Sequence, residues 1–169
     1  MELTECQIVE LKEMILKSLS LLYEKDVFLI KNKTKEESIV FRFGLYFSKL
    51  LESSTFNEKP EIVLDFDYNR RGSETNPKSI EDRPNIVPDV ILHTRGTHDT
   101  NIMVIECKTK KNRSNEQREQ DYHKLEQLTI ANETEEYNYN YGLGVFIDFY
   151  PELQNCDIKY WIDGKREAT

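Results

Sequence analysis

No apolar run in this chain approaches the ~20 residues needed to span a bilayer, so no transmembrane helix is expected. Positive charge is also short, since 23 Lys and Arg stand against 31 Asp and Glu and leave a formal net charge of −8. Bulk electrostatics therefore cannot hold nucleic acid, whose binding depends on cations displacing the counterions of phosphate, although a local basic groove stays open. The three cysteines, Cys6, Cys107 and Cys156, lie far apart with no CxxC. That spacing gives no zinc knuckle and suits a reducing compartment. The three histidines, His93, His98 and His123, fall on a strand end, a turn and a helix without ligand spacing, which gives no zinc site either. Glycine-rich phosphate loops and serine or cysteine nucleophile motifs are missing. The first residues, Met1-Glu2-Leu3-Thr4-Glu5, carry acid where a secretory signal carries base, so the expected location is the cytoplasm.

What is present is enough to fold. The chain has 169 residues with nine tyrosines and eight phenylalanines, too aromatic for a disordered polymer and of a length that fits one domain over 1–169. From Cys6 to Tyr23 the apolar residues Ile8, Leu11, Ile15, Leu19 and Leu22 recur at helical steps, so an amphipathic helix over about 5–23 extends the domain at its N-terminal side. Val27 to Ile30 either continues that helix or forms a minor strand. Thr34 with Glu37 matches a capping box, and the helix it opens should run to about Ser53. Glu61 to Tyr68 alternates as a half-buried strand, with Asp65 and Asp67 on one face. Asn69 to Asn85 reads as a long surface loop able to clamp a substrate. Asn115 to Ile130 reads as a helix with Tyr122, Leu125 and Leu128 on one side, and Asp121 and Lys124 at ion-pair spacing beside them. Tyr141 to Phe149 is a buried-type strand, and Cys156 to Asp163 a final edge strand.

The chemistry gathers between Ile86 and Lys108. Two β-branched runs, Ile86 to His93 and Ile102 to Lys108, flank the polar segment Thr94 to Asn101 with its Gly96, which predicts a hairpin. Asp89 sits in the first run, and Glu106 and Lys108 end the second. Glu106 and Lys108 are two apart and share a face, while Cys107 points the other way. Unpaired buried charge is costly, so these groups either pair with one another or share a cation. Just beyond them Lys108, Lys110, Lys111, Arg113 and Arg118 make the densest positive run of an acidic chain, either a solvated loop or a phosphate-binding one.

Pro88-Asp89 followed by Glu106-Cys107-Lys108 resembles the PD-(D/E)XK signature of restriction-endonuclease-like nucleases. With Asp65-Phe66-Asp67-Tyr68-Asn69-Arg70, Asp121 to Thr129 and Tyr141-Gly142-Leu143-Gly144, the chain is similar to a group of small bacterial and phage members over roughly residues 34 to 150. In that group a glutamate is expected where Asp67 stands. The resemblance implies an α/β fold with a restriction-endonuclease-like core, a mixed central β-sheet flanked by helices. It implies a metal-dependent nuclease for DNA or RNA, with Asp89, Glu106 and the Cys107 carbonyl holding Mg2+ or Mn2+, Lys108 acting on the attacking water, and Glu37 as an accessory acid from the preceding helix. Lys110, Lys111 and Arg113 are the expected nucleic-acid contacts, and DNA the expected partner. The alternative is a non-catalytic module on the same fold that binds nucleic acid, a protein or a second copy of itself. A third reading is an ion pair of Glu106 with Lys108 that serves structure alone.

Overall fold

The computed structural model describes residues 2–59, 61–71, 77–97, 100–109, 114–131 and 138–168. Within them lie α1 (Glu5–Lys25), α2 (Val27–Lys31), α3 (Glu36–Leu51), β1 (Ile62–Phe66), β2 (Val90–Thr94), β3 (Asn101–Lys108), α4 (Asn115–Thr129), β4 (Leu143–Asp148), β5 (Asp157–Ile162) and β6 (Lys165–Arg166). The fold is α/β, a six-stranded mixed sheet in the order β1-β2-β3-β4-β5-β6 flanked by helices. All neighbours are antiparallel except β3 and β4, which run parallel. A parallel pair needs a crossover, and α4 supplies it.

Each face of the sheet has its own cover. On one, Val90, Leu92, Met103, Ile105 and Cys107 pack beneath α1 and α3 through Leu11, Ile15, Leu19, Phe43 and Phe47. On the other, Ile91, Val104 and Phe146 meet Leu125 and Leu128 of α4, together with Ile80 and Ile86 of the segment before β2. Period-two alternation along β3 sends Ile105 and Cys107 to the first layer, Val104 and Glu106 to the second. The 69–85 segment is tied down where it is described. Lys78 is buried, its ammonium lies over the Tyr68 ring, and it donates to the Arg70 carbonyl at 2.5 Å. Its burial holds its pKa down at about 8.

Several element ends differ from the expected ones. Val27 to Lys31 forms a separate short helix, α2. The capping box at Thr34 does not form: α3 starts at Glu36 behind Lys35, and the Thr34 hydroxyl donates back to the Leu29 carbonyl. The capping box that does form joins Thr4 and Gln7 at the start of α1. β1 ends at Phe66, because Asp67 turns into the left-handed region with φ 49°, so Asp65 and Asp67 do not share a strand face. β5 lies between β4 and β6 and is not the sheet edge.

Gly144 in β4 is boxed in. A Cβ there would lie 2.8 Å from Thr129 Cγ2 and 3.2 Å from Trp161 Cβ, and Thr129 is pinned by its hydroxyl bond to the Leu125 carbonyl at 2.8 Å. Removing a strand glycine gains roughly 0.5–1 kcal/mol, whereas overpacking costs roughly 1–3 kcal/mol. Gly144→Ala is therefore expected to lower the denaturant midpoint, by about 1 kcal/mol or more in unfolding free energy. A midpoint at or above the parent's would show that the α4–β5 contact yields freely.

Candidate functional site

The register of the β2–β3 hairpin sets the site. Val90 stands opposite Ile105, so Asp89, one step before β2, falls level with Glu106. Asp89 is thus not inside a strand, as the apolar pattern suggested, but at its mouth, half-buried. Its Oδ2 accepts the Cys107 N–H at 2.6 Å, a bond that locks the two strand ends together. Glu106 and Lys108 both project toward α4, while Cys107 is buried in the opposite layer.

Helix α4 meets them with charge. Arg118, Asp121 and Lys124 are spaced three apart and form one face of the helix. Lys124 Nζ donates to Glu106 Oε2 at 2.6 Å, and Lys108 Nζ pairs with Asp121 Oδ2 at 2.7 Å. Arg118 pairs with Asp148 of β4 at 2.5 Å, and Lys124 also lies 3.7 Å from Asp121. Asp121 and Lys124 are buried, 6% and 7% exposed, and each takes its nearer partner from β3. The direct Glu106–Lys108 pair is replaced by two crossed ones. Lys108 Nζ further donates to the Cys107 carbonyl at 2.9 Å.

From α3 comes Glu36, not Glu37. Its Oε2 accepts the Thr109 N–H at 2.8 Å and its Oε1 is 4.0 Å from Lys108 Nζ. The signal was in the helical phase, because Glu36 shares a face with the buried Val40, Phe43 and Phe47. The resemblance implied Glu37 instead, which is exposed on the rim of a cleft of about 260 Å³ that also reaches Asp67 and Asp89. Asp65 lies apart, paired with His93 at 3.0 Å and with Arg95. The basic contacts Lys110, Lys111 and Arg113, with His98, lie outside the described residues.

Burial dominates the electrostatics. Desolvation pushes the Asp89 carboxyl up to about 6 against the Cys107 N–H bond and the nearby Lys108 ammonium. It pushes Glu106 up as well, with Lys124 opposing and Asp89 adding to the rise. Lys108 moves the other way from most buried amines: burial would lower it, but Asp121, Asp89 and Glu36 outweigh burial and hold it well above its ordinary value. One Glu106 oxygen, Oε1, is buried with no hydrogen-bond partner in a residue 1% exposed. Among the described residues no cluster of three or more His, Cys, Asp or Glu side chains stands ready for a metal. The oxygen donors on offer are two carboxylates, Asp89 and Glu106, and the Cys107 carbonyl, hard ligands of the kind Mg2+ takes.

The chain matches no known family, no curated protein and no solved structure. Among the described residues no helix is long and apolar enough to cross a membrane.

A carboxyl whose folded pKa exceeds its unfolded one binds its proton more tightly in the folded state, so ionising it costs folding free energy. For Asp89 that contribution is present below about pH 4 and is lost as pH rises to about 6. Asp89→Asn keeps an acceptor for the Cys107 N–H and removes the charge. In EDTA the variant is expected to unfold at a higher temperature than the parent at pH 7, with the gap closing toward pH 4. Parallel unfolding curves across that window would show that Asp89 carries no desolvation cost.

Proposed function

We propose that the protein is a metal-dependent nuclease that hydrolyses phosphodiester bonds, DNA before RNA, on a restriction-endonuclease-like core. The observation that carries this reading is the convergence of Asp89, Glu106 and Lys108 where β2 begins and β3 ends, with one buried Glu106 oxygen left unbonded. Mg2+ or Mn2+ held by Asp89, Glu106 and the Cys107 carbonyl would polarise the phosphate and lower the pKa of a water. Lys124 fixes the Glu106 carboxylate, and Asp121 fixes the Lys108 ammonium. Lys108 is held protonated, so it is a poor base for the attacking water. Its role is to donate hydrogen bonds to that water and to the negative charge that grows on the phosphate. Glu37 is too exposed to orient these groups, and Glu36 takes the accessory place through its 2.8 Å bond to the Thr109 N–H.

A second reading is favoured by the pairing itself. Asp89, Glu36 and Glu106 each already have a protein donor, and the Lys124 ammonium occupies one side of Glu106. A non-catalytic module that binds nucleic acid, a protein or a second copy of the chain would need no more than this.

Lys108→Met separates the two. Asp121 keeps Lys124 at 3.7 Å in that variant, so the fold should survive. Loss of a donor that acts in the transition state is expected to cut single-turnover cleavage by roughly 10²-fold or more while substrate affinity holds. A screen of the parent against single- and double-stranded DNA and RNA with Mg2+ and Mn2+ comes first. A parent that cuts none of them leaves the binding module standing.

A further inference from the structure

The cleft of about 260 Å³ beside Asp89 has walls that the metal chemistry does not use. Phe41 of α3 is 51% exposed, and its ring stands 5.8 Å from that of Phe66 at the end of β1, tilted by 51°. Phe66 is held against α3 because residue 44 is glycine: a Cβ there would collide with the ring. Val40, Glu36, Glu37, Asp67 and Asp89 line the rest, and among the described residues no cation does. The side chains of Glu37 and Asp67 make no hydrogen bond or ion pair among the described residues, while the Asp67 N–H is fixed to the Asp89 carbonyl at 3.2 Å. An exposed aromatic ring propped by a second one costs solvation and contributes little packing.

We propose that this cleft receives one unpaired nucleobase, stacked on Phe41 and Phe66 beside the bond to be cut, so that the substrate is single-stranded or locally opened nucleic acid. The position of the bond rests on the nuclease reading; the stacking does not. Without metal, the four carboxylates among the described residues of the cleft repel a phosphate, which favours a neutral or cationic group there. A base is neutral, offers a π-face to the rings, and can bring amino hydrogens to the free acceptors of Glu37 and Asp67. Cytosine, adenine and guanine present such an amino group, whereas thymine offers only its N3–H between two carbonyl oxygens, which predicts that thymine binds weakest. A base held in a duplex cannot reach the rings without leaving its stack.

The test is fluorescence anisotropy of the full chain at low salt in EDTA, with labelled oligo-dC, oligo-dT, an abasic strand of equal length and a duplex as probes. Oligo-dC is expected to bind about tenfold tighter than the abasic strand, the value of one stacked base. Phe41→Ala should lose most of that margin and Phe41→Trp keep it, both with the parent's circular dichroism spectrum. Equal binding of oligo-dC and abasic strand, no binding of either, or indifference to Phe41→Ala overturns the proposal. So does Phe41-dependent capture of an arginine-rich peptide where oligo-dC fails, since a guanidinium also suits rings and carboxylates. Cleavage with Mg2+ is read separately. Base-dependent binding in a protein that cuts nothing supports the stacking cleft and removes the nuclease. Equal cleavage of duplex, abasic strand and oligo-dC does the reverse.

Discussion

Glu106 is a carboxylate with 1% of its surface exposed, and the Lys124 ammonium that answers it at 2.6 Å makes the arrangement around it tenable. Leaving such a group uncompensated costs roughly 3–5 kcal/mol, a large part of a domain's net stability. Helix α4 is therefore held to the sheet by two different forces along its length. Leu125 and Leu128 pack into the layer with Val104 and Phe146, while Arg118, Asp121 and Lys124 dock through charge. The charged face settles the helix register, since a shift of one residue would break three ion pairs at once. Because α4 is also the crossover between β3 and β4, the same contacts bring the parallel pair together.

Such a network is a poor way to gain stability, because well-packed apolar residues of similar volume often do as well or better. Its cost is easier to understand if the site has chemistry to perform. The crossed pairing keeps Glu106 and Lys108 apart, each with its own partner from α4. Asp89 sits at the mouth between the basic groups and the acidic cleft, raised to about 6 by burial.

Much of this was legible in the sequence wherever local pattern and environment agree. The hairpin, the shared face of Glu106 and Lys108, and the amphipathic first helix follow from periods of two and 3.6, which burial on a sheet or beneath it enforces. The partners of the site were not legible, because they are set by the docking of a helix whose own pattern is weak. Asp121 and Lys124 have a surface composition, and only the opposing charges of β3 make their burial tolerable. Glu36 was passed over for Glu37, one residue away, because the resemblance calls only for an acid on this helix. Asp65 was drawn off by His93 and Arg95, a pairing across β1 and β2 that no spacing announces. The mixed sheet was expected, while its sixth strand, two residues long, carries too little pattern to be seen.

In the proposed nuclease the unbonded Glu106 oxygen and Asp89 together would hold one divalent cation. Calorimetric titration with Mn2+ at neutral pH tests it directly, on the parent, Glu106→Gln and Glu37→Gln. One ion per parent chain is expected, with binding retained in Glu37→Gln and none in a folded Glu106→Gln. Binding of the same strength in all three proteins, or none in the parent, would contradict it.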